Sequence, residues 1–508
     1  MVNSKRKDLI RDMLIYYFGL FLVCSAHYSL LHLQSSLNVQ DGLGVASVTA
    51  NYAAVLFGGI FLSSNFLFFL DMKTGMVVTD ATYLFFVAAN FYPEFYTLVP
   101  ASIIAGFGKI LFWVSAGAFN VYFAKSLATT GSKDLNNYVS NVTACNICTF
   151  QLSTIAGNLI SFGVFSSAGE TASNVSANGT DSGLVLADVC GANDCQDPNI
   201  TSQLLSQYKP ANETILYIVL SVFVALNGIG LLLHLIFAPL STKRYTAPPN
   251  MKLKEEINHN YVDDDEDIKQ KQHEVETTED LDSDAHDDKN KFTFKSAWLE
   301  LKGSIRQYGS LVQLLLIPVF FQVGFFNGFS SSEITRAYAS CVFGVSQVGI
   351  SMAITATFAT VSSLISGKVC SRFGRQFPIA LSCTMNVALL TYCLLWRPSD
   401  ESTVWELYPM NAMQGISAGC AMTATQVAVV GFFPQNTHRA FSVWATTSST
   451  GALVQFAWST GLCVYDKIYI MYGVTAFAAI TYALAEIVHR KDKKCDVESE
   501  SRFQVTAL

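Results

Sequence analysis

The stretch TILYIVLSVFVALNGIGLLLHLIFAP, residues 214–239, contains no Asp, Glu, Lys or Arg. The hydrocarbon core of a bilayer needs about 20 helical residues to cross it, so this stretch is long enough to span a membrane. Similar apolar runs recur along the 508 residues, of which only 14% are charged, against about 25% in soluble domains. These features predict an all-α polytopic membrane protein and argue against a soluble enzyme.

We place about twelve transmembrane helices in two six-helix halves, because the longest polar insert falls between the sixth and the seventh run. Lipid offers the backbone no hydrogen-bond partners, so each run is expected to be helical. The predicted spans of the first half are 12–33, 47–70, 76–93, 98–124, 140–166 and 214–239. Those of the second half are 308–329, 337–366, 377–396, 405–432, 440–464 and 468–488.

The predicted halves, 12–239 and 308–488, are joined by a loop at 240–307 that carries most of the negative charge. Within it, residues 255–288 hold fifteen acids and two lysines, a net charge of −13 that leaves the rest of the chain at +6. A segment so acidic and so poor in apolar side chains is expected to be disordered. The main interpretation is a solvated linker between the halves, and a regulatory or binding role is the alternative.

Basic residues predict the orientation, because short loops rich in Lys and Arg stay in the cytosol. They cluster in residues 1–11, after the sixth span, between the eighth and ninth spans, and in residues 489–508. With twelve crossings all four clusters fall on one side, so both termini are predicted to be cytosolic. The first apolar run is too long for the core of a cleavable signal peptide and is interpreted as an uncleaved helix.

The loop at 167–213 falls on the outer side in this scheme. It contains four N-x-S/T glycosylation acceptors at Asn174, Asn178, Asn199 and Asn212, and such acceptors suit a surface outside the cytosol. It also contains the string CGANDC, in which we expect Cys190 and Cys195 to form a disulfide with one another. Disulfides persist in oxidising compartments, so both features support the same orientation.

Residues 367–376, GKVCSRFGRQ, resemble the loop signature G-x-x-x-D-R-x-G-R-R/K of the major facilitator superfamily. The residues that match are Gly367, Arg372, Gly374 and Arg375. Glycines allow two helices to approach at a tight turn, and the basic residues hold that turn at the cytosolic interface. Ser371 stands where the signature has an acid, so the resemblance does not extend to the usual charge clamp at this gate. The resemblance implies a major-facilitator-like fold.

A narrower resemblance rests on strings in both halves. These are LHLQSSLNVQDGLGVASVTANY at 31–52, GFGKILFWVSAGAF at 106–119 and SSSEITRAYASCVFGVSQVG at 330–349. They are similar to strings of the uncoordinated-93 family, and the outer glycosylation sites favour its "A" branch. The resemblance implies an ion-channel regulatory protein, since the founding member is associated with a two-pore potassium channel.

Ionisable residues inside a membrane are costly and often functional. Lys109 lies near the middle of the predicted fourth span. It either faces a central cavity, where it binds an anion or pairs with a carboxylate, or it is a bundle-facing lysine without such a role. His27 on the first span is a weaker candidate for proton coupling in that cavity. Asp80 lies near a predicted membrane boundary and is expected to be solvated.

Glu333 and Arg336 are three residues apart at the predicted outer start of helix eight, a spacing that allows them to pair on a helix. We interpret them as a clasp at the outer gate.

The string CNIC at 145–148 has the cysteine spacing of metal sites, but no second ligand pair accompanies it. We therefore predict no metal, no cofactor and no nucleic-acid partner.

The last residues, Thr506-Ala507-Leu508, match the S/T-x-Φ-carboxylate pattern that PDZ domains bind. A PDZ scaffold is thus one partner to consider, besides the lipid bilayer and a potassium channel or receptor. The plasma membrane is the expected location, with the endosomal membrane as the alternative.

Two functions remain open from the sequence. The first is a non-catalytic accessory protein that modulates the activity or trafficking of a potassium channel through helix–helix association. The second is a secondary transporter of a small solute, with proton coupling as one option and with Lys109 and His27 at a central site. A polar cavity that reaches Lys109 would favour transport, and a closed seam would favour the accessory role.

Overall fold

The computed structural model describes residues 2–61, 71–129, 135–167, 186–196, 213–237, 306–399, 401–433 and 437–506. Twelve long helices run through these ranges. The first six are α1 (Val2–Leu37), α2 (Leu43–Phe61), α3 (Met72–Ala89), α4 (Phe95–Ala128), α5 (Leu135–Ser167) and α6 (Glu213–Phe237). The second six are α7 (Leu311–Phe343), α8 (Ser346–Phe373), α9 (Gln376–Leu395), α10 (Leu407–Phe432), α11 (Thr437–Ala457) and α12 (Val464–Thr506).

Ten of the twelve helices are long and apolar enough to cross a bilayer by themselves. The two others are α3 and α11. Lys73 and Asp80 lower the hydropathy of α3, and α11 is rich in Ser and Thr. The all-α membrane fold is thus confirmed, while twelve crossings require that α3 and α11 insert together with their neighbours.

The boundary between the seventh and eighth helices differs from the prediction. The described α7 runs on past Phe329 through an eleven-residue π-helix, Ser330–Ser340, and a last turn, Cys341–Phe343. Glu333 and Arg336 therefore belong to the end of α7 and not to the start of α8. The apolar pattern ended the seventh span at Phe329 because the string SSSEITR that follows is polar. In the fold, tertiary contacts bury nearly all of this string, so the helix continues through it.

Helix ends alternate between two faces of the bundle. The end that carries residues 186–196 is called the strap end, and those residues are called the strap. The opposite end carries the turn between α8 and α9 and is called the basic end. A buried core that includes residues of both halves, among them Leu33, Phe329, Phe343 and Met471, joins the halves.

Close backbone contacts bring the halves together. At Gly349 on α8, a Cβ atom would lie 2.4 Å from the Asn158 carbonyl oxygen of α5, so only glycine permits this approach. On the other side of the interface, the rings of Tyr52 on α2 and Phe456 on α11 stack with centroids 5.7 Å apart. Small residues at such contacts are the usual means by which membrane helices pack closely.

Candidate functional site: a buried charge cluster under the strap

Four ionisable side chains meet at the strap end and form the charge cluster: Asp194, Glu333, Arg336 and Lys467. The Arg336 guanidinium contacts Asp194 through Nη1 and lies 2.7 Å from Glu333 Oε2 through Nη2. Lys467 Nζ lies 2.8 Å from Glu333 Oε1. Glu333 and Lys467 are 0% exposed and Arg336 is 2% exposed. Two positive and two negative charges leave the cluster formally neutral.

Neutral polar groups complete the coordination of these charges. Ser459 donates a hydrogen bond of 2.7 Å to Glu333 Oε1, and its carbonyl oxygen accepts one of 2.7 Å from Lys467 Nζ. Buried ions are tolerated only when they are paired and their remaining donors and acceptors are satisfied. The π-helix that carries Glu333 and Arg336 is an uncommon element that often occurs at functional sites.

The strap belongs by sequence to the first half but packs on the second, against α9, α12 and the π-helix. Asp194 of the strap accepts a backbone hydrogen bond of 3.0 Å from the Val464 N–H. Gln196 donates through Nε2 to the Ser459 carbonyl oxygen at 2.6 Å. The first half thereby contributes one carboxylate to a site that is otherwise made by the second.

Two disulfides fasten the strap, and they correct the predicted pairing. Cys190 is bonded to Cys341 at the end of α7, and Cys195 to Cys463 before α12. The expected Cys190–Cys195 bond does not form, because the residues between them make a helical turn, Gly191–Asn193, and each sulfur meets a different helix end. The sequence did offer a signal for this pairing, because Cys341 and Cys463 lie at predicted outer ends of the eighth and eleventh spans.

Hydrogen bonds also join α1 to the π-helix at the strap end. Ser35 Oγ lies 2.9 Å from the Ser331 carbonyl oxygen and 2.9 Å from Thr335 Oγ1. Ser36 Oγ donates to the Thr335 carbonyl oxygen at 3.2 Å. These residues lie in two of the strings that carry the family resemblance. At this end the halves are held together by polar contacts, by the neutral cluster and by the strap.

Lys109 lies on the inner face of α4 and is half-buried. Its ammonium nitrogen is 4.4 Å from the ring centroid of Tyr52 and 5.6 Å from that of Tyr28. Such cation–π contacts partly replace lost hydration. Among the described residues we find no carboxylate paired with Lys109, so the proposed ion pair is not seen.

His27 is fully buried and stacks on Tyr83 with ring centroids 3.6 Å apart and planes at 4°. Within the described ranges, neither of its ring nitrogens has a hydrogen-bond partner. The ring packs against Tyr28, Tyr83 and Phe86, so the described contacts of His27 are packing contacts. The structure therefore places His27 near Lys109 in the same half but does not bring the two into contact.

Two cavities of the described chain bear on transport. One lies inside the second half, is lined by Gln322, Asn386 and Ser417, and has room for about 10 Å³, which is close to the minimum for one water molecule. The other is an open groove of about 400 Å³ along α6. Neither is lined by Lys109 or His27.

At the basic end, Gly374 adopts φ +86° and ends α8, a backbone conformation that glycine adopts at little cost. Gly367 is open to its surroundings and Arg372 is exposed. Arg375 Nε lies 2.7 Å from Glu486 Oε1 of α12, and its guanidinium carbon lies 3.9 Å from the Phe432 ring centroid. Arg375 thus links the start of α9 to α10 and α12, all of which belong to the second half.

A second buried ion pair corrects the prediction for Asp80. Its carboxylate is 1% exposed, and Oδ2 lies 2.6 Å from His234 Nδ1. His234 Nε2 lies 3.0 Å from the Tyr16 carbonyl oxygen. A carbonyl oxygen only accepts hydrogen bonds, so His234 Nε2 carries a proton. A second proton lies in the hydrogen bond between His234 Nδ1 and Asp80 Oδ2. This contact ties α3 and α6 to α1. Asp80 is not solvated because α3 begins at Met72, which places Asp80 in the middle of the helix and not at its end.

The remaining predicted sites lie at the margin of the structure. Asn174, Asn178, Asn199, Asn212 and Leu508 are outside the described residues, as is nearly all of the loop at 240–307. Thr506 is the last described residue, at the end of α12. Their modification or binding stays a prediction.

Replacing Asp80 by Ala should reduce the free energy of unfolding by about 3 kcal/mol, because it leaves His234 without its buried partner. Asp12→Ala is the matched control, since Asp12 pairs with Arg11 on an exposed surface and such pairs contribute at most about 1 kcal/mol. Thermal unfolding midpoints of both variants in the same detergent measure the difference. Equal midpoints would contradict a stabilising role for the Asp80–His234 pair.

Known proteins that this chain resembles share its overall helical architecture. The profile described as "Major Facilitator Superfamily" matches residues 314–505. Among solved structures, a mutant of the nucleoside transporter NupG superposes with a TM-score of 0.54 at 13% identity, covering 93% of this chain and 99% of that one. A mutant of the peptide transporter POT gives 0.55 at 9% identity, covering 94% and 95%. These likenesses establish the fold.

Proteins of similar sequence identify the family, which the solved structures do not. "Protein unc-93 homolog A" of Xenopus laevis is 27% identical over 96% of this chain and 95% of its own length, and that of Homo sapiens is 26% identical over 95% and 94%. A Caenorhabditis elegans protein that is named as a potassium channel regulatory protein, unc-93, is 20% identical over 90% of this chain and 58% of its own length. The profile "Ion channel regulatory protein UNC-93" matches residues 36–398. The chain is therefore a member of the UNC-93 family, with a major-facilitator-like fold.

Proposed function

We propose that this chain is a non-catalytic accessory membrane protein that regulates the activity or trafficking of a potassium channel. Membership of the UNC-93 family supports the proposal, and the closed strap end is the observation that carries it. A transporter must separate its halves at each face in turn. Here the strap end holds a neutral buried cluster and a cross-linked strap.

The proposed orientation places the strap end outside the cytosol, in the plasma membrane or the endosomal membrane, with both termini inside. The two disulfides support it, since such bonds persist in oxidising compartments. Removal of N-linked sugars should then lower the apparent mass of the native chain. A variant with Asn174, Asn178, Asn199 and Asn212 all changed to Gln should show no such shift. Asn141 is a further N-x-T acceptor at the predicted cytosolic start of the fifth span, so sugar on Asn141 would overturn the orientation.

Channel regulation is tested by co-expressing the full-length chain with individual potassium channels in cells that lack it. We expect a change in current density for at least one channel, with surface labelling to separate gating from trafficking. An unrelated twelve-helix transporter expressed at the same level is the control for membrane crowding. If currents and surface densities match the control across the panel, the proposal fails. A PDZ scaffold is tested in the same cells by deleting Thr506-Ala507-Leu508.

Solute transport is the competing hypothesis, because the fold is shared with transporters and Lys109 is only half-buried. Under the accessory hypothesis, Lys109→Ala should leave solute flux in reconstituted vesicles at the background level of empty vesicles, as the native chain does. Lys125→Ala, on the same helix but exposed, is the matched control. Flux that appears with the native chain and the control but disappears in Lys109→Ala would favour transport.

A further inference from the structure

The two disulfides of the strap differ in their exposure to solvent. Cys190 is 1% exposed and its partner Cys341 is 0% exposed. Cys195 is exposed, and its partner Cys463 is half-buried. A reductant attacks a disulfide sulfur directly, so access limits the reaction, and exposed disulfides are the labile ones. A reductant should therefore reach the Cys195–Cys463 bond well before the Cys190–Cys341 bond.

The exposed disulfide lies beside the contacts that complete the charge cluster. Asp194, which neutralises Arg336, is the residue immediately before Cys195. Val464, which donates its N–H to the Asp194 carbonyl oxygen, immediately follows Cys463. Gln196, on the other side of Cys195, bonds Ser459. Polar contacts between this part of the strap and the second half are thus concentrated around one accessible bond.

We propose that the strap is a redox-controlled lid on the charge cluster, with Cys190–Cys341 as its anchor and Cys195–Cys463 as its latch. A dithiol reductant opens the latch by attack of one thiolate on a latch sulfur, and its second thiol then displaces the mixed disulfide. The protein gains two electrons and two protons as two thiols, and the reductant leaves as its own disulfide. The anchor keeps the strap attached while residues 194–196 lift away.

Opening of the latch changes the charge of the cluster. When Asp194 leaves, Glu333 remains as the single carboxylate between Arg336 and Lys467, and the cluster changes from neutral to +1. An uncompensated buried cation is strongly unfavourable, so the π-helix must admit water or anions from the strap end. Reduction is therefore expected to loosen the contact between α1 and the π-helix. This inference rests on the strap geometry alone and does not depend on channel regulation.

The order of reduction is measured first. Membranes that contain the full-length chain are treated with graded dithiothreitol, the new thiols are trapped with an alkylating reagent, and labelling of each cysteine is quantified by mass spectrometry. We expect Cys195 and Cys463 to be labelled at a dithiothreitol concentration about tenfold lower than Cys190 and Cys341. Simultaneous labelling of all four, or labelling of the buried pair first, would overturn the proposal.

Lifting of the strap from the charge cluster is measured by hydrogen–deuterium exchange of the Ser330–Ser340 peptide in the same preparation. Exchange should rise once the latch opens, and the double variant Cys195→Ser/Cys463→Ser should show raised exchange without reductant. Asp194→Asn should raise exchange with both disulfides intact, whereas Asp188→Asn, an exposed acid of the same strap, should not. Unchanged exchange after selective opening of the latch would contradict the lid, even if the order of reduction is as expected.

Discussion

Four ionisable groups share one water-poor site at the strap end, and electroneutrality is the constraint on which that end of the bundle depends. Arg336 and Lys467 supply two positive charges, and Glu333 and Asp194 supply two negative ones. Removing any one member would leave a charge buried without compensation, which is far more costly than losing a surface pair. The geometry of the strap and of the end of α7 follows from the need to keep all four together.

This constraint makes the second half of the bundle incomplete by itself. Its own residues supply one carboxylate to two cations, and the missing carboxylate arrives on a loop of the first half. The disulfides to Cys341 and Cys463 hold that loop in place. The halves of this fold are related in architecture, but here they are linked in chemistry as well. With both disulfides intact, such a link restrains separation of the halves at the strap end.

The basic end is built differently. Arg375 matches the superfamily loop signature, yet its partner Glu486 belongs to the same half. The acid of the signature is replaced by Ser371, and the arginine instead stabilises packing among the helices of the second half. Lys109 likewise satisfies its charge on the tyrosine rings of neighbouring helices. Arg375 and Lys109 are thus both engaged in packing contacts within this chain.

The sequence by itself determined the membrane class, the positions of most helices and the family, because apolar length, glycine turns and basic clusters are local properties. It also indicated Glu333 and Arg336 as a pair, since residues three apart on a helix are neighbours. Only the tertiary structure decided that Asp194 and Lys467 join them, that Cys190 and Cys195 bond other cysteines, and that Asp80 is buried with His234. Those contacts join residues more than a hundred positions apart, and no local pattern specifies which distant groups packing will bring together.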